Sequence, residues 1–323
     1  MKAILMLAMG AVLALSPCSA MAQETRTVVD GTGTEIAVPT NPQRIVTLHD
    51  SRLTVPLLEL GVVPVGSHGR VAGDGTPFIR SSLEITGFDF DNSDIAFVGE
   101  TPIDAEQVAA LEPDLIIAPN WEEVGIDQLR TIAPTYVFDY GAITDEFEIY
   151  QKIAELAGVE GRLATLEARY AEQIRMIRAL VADPAEITVS VIQPRQGQVR
   201  VWNTYFSLGK VLRDAGFSFP AAIDAVGGAE AADFSAEVLP ELDADFIFIT
   251  YPLMAFGQTP ADTEAAMADV LPGWCGVLHA CRNGQVIYLP RSVASSTSYE
   301  ALGQMAQAVA SHIVGRDFVP MPD

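Results

Sequence analysis

Between residues 160 and 182 the sequence carries a single helical stripe, and no other stretch constrains the chain so much. Leu163, Leu166, Tyr170, Ile174, Ile177 and Val181 step by 3, 4, 4, 3 and 4 residues, which places them on one face of an α-helix. At ~1.5 Å per residue that helix is about 33 Å long, the width of a small domain. Glu167, Arg169, Glu172, Arg175 and Arg178 occupy the other face, and residues 159–185 hold four acids and four bases. The segment is poor in Gly and Ser, so it reads as a stiff strut and not as a flexible linker.

The same alternating pattern lies on both sides of the strut. Strand-like runs at 44–49, 64–67, 114–118 and 135–139 alternate with helical patterns at 53–60, 105–111 and 146–157. After residue 186 the pattern restarts, with strand-like runs at 187–193, 199–202, 245–250 and 285–289 and helical ones at 206–215 and 299–314. Strand, helix, strand at this spacing calls for parallel sheets wrapped by helices. The expected fold is α/β, with mainly parallel central sheets in two lobes, residues 23–158 and 186–323, joined by the strut at 159–185.

A short internal repeat ties the lobes together. Residues 104–118 (DAEQVAALEPDLIIA) and 235–249 (SAEVLPELDADFIFI) align without a gap at an offset of 131. They share Ala105/Ala236, Glu106/Glu237, Leu111/Leu242, Asp114/Asp245 and Ile116/Ile247. Each copy starts on an N-cap type of residue, Asp104 or Ser235, so each Glu falls in a first helical turn. Alone, either Glu would merely complement a helix dipole, worth ~0.3–1 kcal/mol. As a matched pair, one per lobe, they suggest two equivalent surface carboxylates serving one partner.

The charge balance removes whole classes of partner. Nineteen Lys and Arg face 42 Asp and Glu among 323 residues, for a formal charge of −23. Such an anion is repelled by nucleic acid and by anionic lipid. The charge is segregated: 23 acids against 7 bases in residues 24–158, and 15 against 7 in residues 186–323. Sixteen of the cations are Arg, the fork-shaped donor suited to carboxylates and other planar oxyanions.

The first 22 residues read as an export signal. Lys2 supplies the positive end, residues 3–15 a short apolar run, and Ala20-Met21-Ala22 a small-x-small cleavage site. That run is too short to span a bilayer, which takes about 20 residues. The expectation is a soluble periplasmic protein; Pro17 directly before Cys18 argues against a lipid anchor there. Cleavage would leave Cys275 and Cys281 as an even pair in an oxidising compartment, and a disulfide is expected. A zinc site built from both plus His279 lacks a fourth local ligand.

Here the sequence resembles a known family. TVVDGTGTEIAVPTNPQRIVTLHD, LLELGVVPVGS, IDAEQVAALEPDLII, the long central helix and GVLHACRNGQVIYLP follow one another as in ABC-transporter substrate-binding proteins for ferric siderophores, haem and vitamin B12. The resemblance covers essentially the whole chain after residue 22. The stretch DGTPFIRSSLEITGFDFDNSDIAFVGE is most similar to the ferric-siderophore branch. The resemblance implies a helical-backbone type periplasmic binding protein, two Rossmann-like lobes bridged by a rigid helix, with ligand held in the cleft between them. It implies a monomer with no catalysis and no cofactor of its own, its cargo an iron(III)–siderophore complex, or alternatively haem or cobalamin. It also implies that Glu106 and Glu237 dock into arginine pockets of the membrane permease.

Ferric siderophores are bulky and many are anionic, so the cleft is expected to use arginines outside helices together with aromatic faces. The candidates are Arg70, Arg80, Arg195, Arg200 and Arg291, with Trp121, Trp202, Tyr205 and Tyr251. Arg70 and Arg80 follow an N-lobe strand, where α/β sheets present ligands. Arg195 lies in the PRQG turn of an expected hairpin, with Val199 and Val201 on one face of its second strand and Arg200 and Trp202 on the other. A surface ion pair or a packing role is the plain alternative for each. Direct metal ligation is not expected, because no two of His49, His68, His279 and His312 fall at helical ligand spacing; an axial haem ligand would be His68 or Tyr251. In the acidic loop at 89–94, Glu100 falls at position 12 of an EF-hand frame, but Asp94 stands where Gly is needed, so turn chemistry is expected. No G-x-S-x-G, P-loop, H-E-x-x-H or G-x-G-x-x-G motif is present. Ser67-His68 is the one nucleophile–base neighbour, which leaves an exported hydrolase as a remote alternative.

Overall fold

A computed structural model describes residues 23–122, 124–143, 145–227, 231–252 and 259–322. The expected export signal, with Cys18, lies outside the described residues.

The N-terminal lobe opens with a hairpin of β1 (Thr25–Val29) and β2 (Glu35–Pro39). Its central sheet uses β3 (Ile45–Thr47), β4 (Gly66–Ser67), β7 (Ala96–Phe97), β8 (Leu115–Pro119) and β9 (Thr135–Phe138). The two-residue strands β5 (Arg70–Val71) and β6 (Pro77–Phe78) form a small hairpin beside it. The five strands run parallel in the order β7-β4-β3-β8-β9. Ile45, Val46, Leu115, Ile116 and Ile117 are all buried, which is why these strands read as continuous apolar runs and not as alternation.

The C-terminal lobe carries β10 (Val189–Arg195), β11 (Gln198–Trp202), β12 (Ala231–Phe234), β13 (Phe246–Tyr251) and β14 (Val286–Pro290). Their order is β12-β11-β10-β13-β14. β10, β13 and β14 are parallel, but β11 and β12 pair antiparallel, so this sheet is less parallel than its partner. The cause is local. Gln196 and Gly197 take φ of 51° and 74°, the two positive values a tight hairpin turn requires, and the chain reverses there. Along β11, Val199 and Val201 are buried while Arg200 and Trp202 are half-buried on the opposite face.

The repeat takes different shapes in the two lobes. Asp104 accepts the N–H groups of Glu106 and Gln107 and caps a helix at Ala105–Ala110. Ser235 makes no side-chain cap, and Ala236–Leu242 is a 3₁₀ helix. Pro240 inside it has no N–H for an α-helical ladder. The two aspartates, in contrast, act alike. Asp114 accepts the N–H groups of Gln43 and Arg44 at 2.7 and 2.9 Å, and Asp245 accepts the N–H and hydroxyl of Thr188 at 2.7 and 2.8 Å. Each carboxylate therefore pins the chain just before the neighbouring parallel strand, β3 in one lobe and β10 in the other.

The strut forms as a helix over Glu160–Leu180. Leu163, Ile174, Ile177 and, just beyond the helix, Val181 are buried, while Leu166 and Tyr170 are partly covered. It packs along Phe206–Ala215 and the last helix, Tyr299–Ile313. Arg169 bonds Glu300 at 2.6 Å, and the Tyr170 hydroxyl donates to Asp214 at 2.7 Å. The sulfurs of Cys275 and Cys281 lie 2.01 Å apart. His279 turns away from them, its Nε2 2.8 Å from the Val319 carbonyl. The loop at 89–94 holds a 3₁₀ turn, Phe90–Asn92, closed by reciprocal capping between Asp89 and Asn92. Among the described residues no group of three or more His, Cys, Asp or Glu could hold a metal ion, and no helix is long and apolar enough to cross a membrane.

Candidate functional site

A cavity of about 710 Å³ opens between the lobes. The N-terminal lobe contributes Arg52, Phe78, Ile79, Arg80, Glu84 and Glu146 to its wall; the C-terminal lobe contributes Phe206, Pro252, Arg291 and residues 292 and 295–297.

Arg52 is placed by the fold. It lies in a π-helical turn, Asp50–Thr54, just past β3, at the C-terminal edge of a parallel sheet. His49 Nδ1 accepts the Arg52 N–H at 3.2 Å and fixes that turn. The guanidinium bonds Glu146 at 2.7 Å and lies 5.1 Å from the ring centre of Tyr140. The other oxygen of Glu146 accepts the Thr297 hydroxyl at 2.6 Å, so one carboxylate joins both lobes inside the cleft.

Arg80 is held from behind by Asp50, whose side chain is fully buried. Its Nε and Nη2 donate to the two carboxylate oxygens at 2.7 and 2.5 Å, a two-pronged charge-assisted pair. Burial pushes the Asp50 carboxyl up, but the fork of Arg80 and nearby His68 outweigh it and hold the group well below the usual carboxylate range. His49 sits against the same pair. Burial, opposed by Asp50 and helped by Arg80, Arg52 and His68, lowers its pKa to about 3, so the ring is neutral at pH 7. It stacks on His68 at 5.8 Å and meets Trp121 edge-on at 5.9 Å.

Of the residues singled out from the sequence, Arg80 and Arg291 are on the cavity wall. Arg291 starts a short helix, Arg291–Ala294, directly after β14, is exposed, and has no carboxylate partner among the described residues. Arg70 pairs with Glu100 at 3.0 Å, off the wall. Arg200 forms a two-pronged pair with Asp233 and lies 5.9 Å from the Trp202 ring, also off the wall. Arg195 is exposed at the end of β10, and Tyr251 ends β13 beside Pro252; neither lines the cavity. Trp121 is half exposed and packs on Tyr140 at 4.5 Å.

Tyr205, also expected at the cleft, lies beneath the surface. It is 1% exposed, covered by Trp202 and Phe206, with its hydroxyl 3.0 Å from Thr250 Oγ1. A tyrosine whose hydroxyl finds a protein partner is stable in a core, and here that hydroxyl also interacts with Arg291 and Ser295 of the cavity wall. Trp202 supports Phe206, which does reach the cavity. Arg52 and Phe206 were missed. Arg52 could have been found, since it follows the first parallel strand by only a few residues. Phe206 opens a helix and carried no such signal.

Glu106 and Glu237 are both exposed, each in the first turn of its helix. Neither carboxylate has a hydrogen bond or ion pair among the described residues.

Residues 86–293 match the family model described as periplasmic binding protein. The chain is 30% identical over 256 residues to the protein named "Probable siderophore-binding lipoprotein YfiY" of Bacillus subtilis, covering 74% of this chain and 75% of that one. It is 27% identical over 292 residues to a cobalamin-binding protein of Halobacterium salinarum, 88% of this chain and 68% of the relative. The crystal structure of Staphylococcus aureus SirA complexed with staphyloferrin B superposes with a TM-score of 0.69 at 23% identity, over 90% of this chain and 98% of that one. That last likeness is one of fold.

Proposed function

The chain belongs to the periplasmic binding protein family, whose members bind and hand on a ligand without catalysis, and from that premise we propose that it captures a ferric siderophore and delivers it to an ABC permease. The observation that carries the proposal is the cavity of about 710 Å³ shared by both lobes. That volume suits a ligand far larger than a metal ion or an amino acid. Arg52, Arg80, Arg291 and Phe206 are the ligand contacts; Arg70, Trp121, Arg195, Arg200, Trp202 and Tyr251 act behind or beside them. The two lobes are residues 23–158 and 186–323, with 159–185 as the connection.

Titration of tryptophan fluorescence with a ferric hydroxamate, a ferric catecholate, ferric citrate, haem and cobalamin tests this. The expected result is saturable binding of one ferric chelate per chain, with the chelate recovered unchanged. Cobalamin is the second reading, favoured by the 27% identical cobalamin-binding relative. Binding of cobalamin or haem alone would remove the siderophore assignment.

Delivery uses Glu106 and Glu237, one carboxylate per lobe, each meeting guanidinium groups of the permease through charge-assisted hydrogen bonds. Export by cleavage after Ala22, residence in the periplasm as a monomer, and a disulfide between Cys275 and Cys281 complete the proposal. Because YfiY is named a lipoprotein, the mass of the mature N-terminus is the decisive measurement. Cleavage after Ala22 gives a chain starting at Gln23, whereas anchoring gives a lipidated Cys18.

A further inference from the structure

We propose that the cleft is built for an iron chelate with no net negative charge, a neutral or cationic ferric complex, and that it discriminates against anionic ones. The inference rests on the siderophore assignment and names its ligand class.

Three guanidiniums line the cavity, but two are already spent. Arg80 is tied by two hydrogen bonds to the buried carboxylate of Asp50. Arg52 is tied to Glu146, which is itself held by Thr297 across the cleft. Each of those pairs is neutral as a unit, and neither guanidinium can leave its carboxylate without stranding a charge in a partly desolvated place. Arg291 is the one cavity arginine without a carboxylate partner among the described residues.

Among the described residues, three carboxylates on the same wall have no cation. Glu84 has no hydrogen bond or ion pair among the described residues. Asp74 accepts from the N–H and side chain of Thr76, and Asp89 from the backbone N–H groups of Ile79, Phe90 and Asn92, so neither meets a cation among the described residues. Counting Asp50 and Glu146, three guanidiniums meet five carboxylates, a net charge of −2. The wall also offers Phe78, Ile79, Leu83, Phe206 and Pro252, an apolar lining suited to methylene spacers. The lobe that supplies most of these groups is itself strongly acidic, with 23 acids against 7 bases.

The chemistry of ferric chelates converts that charge into selectivity. Three hydroxamates neutralise an iron(III) ion, and a free ammonium on the ligand makes the complex cationic. Three catecholates leave three negative charges on the complex. Between low-dielectric walls, like charges repel far more strongly than in water. A triscatecholate placed beside Glu84, Asp74 and Asp89 finds a single uncommitted guanidinium; a cationic trishydroxamate finds three uncommitted carboxylates.

The test compares ferrioxamine B, a cationic ferric trishydroxamate, with a ferric triscatecholate by tryptophan quenching on the mature chain. Ferrioxamine B is expected to bind at least about tenfold more tightly, and its affinity should fall between about 20 and 200 mM salt. Glu84→Gln should narrow the gap by about two- to fivefold, and Glu84→Arg should close more of it, with circular dichroism unchanged. Equal or tighter binding of the triscatecholate by the unmodified chain overturns the charge assignment while leaving a siderophore receptor in place. Binding of haem or cobalamin with no ferric chelate bound removes the receptor assignment and this inference together.

Discussion

The carboxylate of Glu59 accepts the backbone N–H of Glu300 at 2.6 Å, so a helix of the N-terminal lobe caps the last helix of the C-terminal lobe. The same carboxylate accepts the N–H of Tyr299 at 3.1 Å and the hydroxyl of Tyr150. The capped helix packs along the strut, so this contact ties three elements distant in sequence at one buried point. Glu59→Ala would leave two helix N–H groups unpaired and the Tyr150 hydroxyl with only the Thr297 carbonyl, 3.4 Å away. The expected loss is about 2–4 kcal/mol, read as a lower urea midpoint, with Glu59→Gln recovering part of it. A midpoint unmoved by the alanine variant would show that the contact contributes nothing.

Closure of the lobes on ligand should be small. The strut, the Glu59 cap and the Glu146–Thr297 hydrogen bond all hold the lobes at their present spacing. X-ray scattering with and without saturating ligand is expected to give radii of gyration within about 1 Å of each other, unlike hinge-closing receptors. A compaction of several ångströms would contradict it.

Acid should weaken the fold partly through His49. Its folded pKa is about 3 against an ordinary 6.5, because the ring is buried and faces Arg80, Arg52 and His68, with Asp50 pulling the other way. Between those values the unfolded chain binds a proton that the folded chain refuses, so stability is present above pH 6.5 and is lost as pH falls toward 3. Asp50, depressed below its ordinary 3.8, adds the same sign only under that pH. Glu59, raised by burial despite its three donors, acts with the opposite sign above its ordinary 4.5. Urea midpoints of His49→Gln should therefore fall less steeply than those of the unmodified chain from about pH 7 to 4. Parallel curves would rule His49 out.

Uptake should separate from binding at the two exposed glutamates. Glu106→Ala combined with Glu237→Ala is expected to leave ligand affinity within about twofold while abolishing transport in cells that carry the cognate permease. Full transport by the double variant would end the docking proposal.

The scaffold was legible because its signals are local. The stripe from Leu163 to Val181, the buried runs at β3, β8 and β13, and the Gln196-Gly197 turn each announce themselves within a dozen residues. β12 escaped, since Ala231–Phe234 has neither β-branched residues nor a full alternation. The site was less legible because an arginine's availability depends on its partner. Arg70 finds Glu100 thirty residues away, Arg200 finds Asp233, and Arg80 finds an aspartate hidden behind it. The burial of Tyr205 was hidden for a related reason: Thr250, which satisfies its hydroxyl, lies 45 residues on and reaches it only through the fold.

Walls already at their working distance also set the tempo of capture. Association that waits on no rearrangement proceeds at the rate of productive collisions, and the acidic field around the mouth sorts those collisions by ligand charge. Departure is the harder event. With Glu59 and Glu146 fastening one lobe to the other, the bound state has no easy thermal route to a wider mouth. Under the proposed docking through Glu106 and Glu237, unloading then becomes work done from outside on both lobes at once.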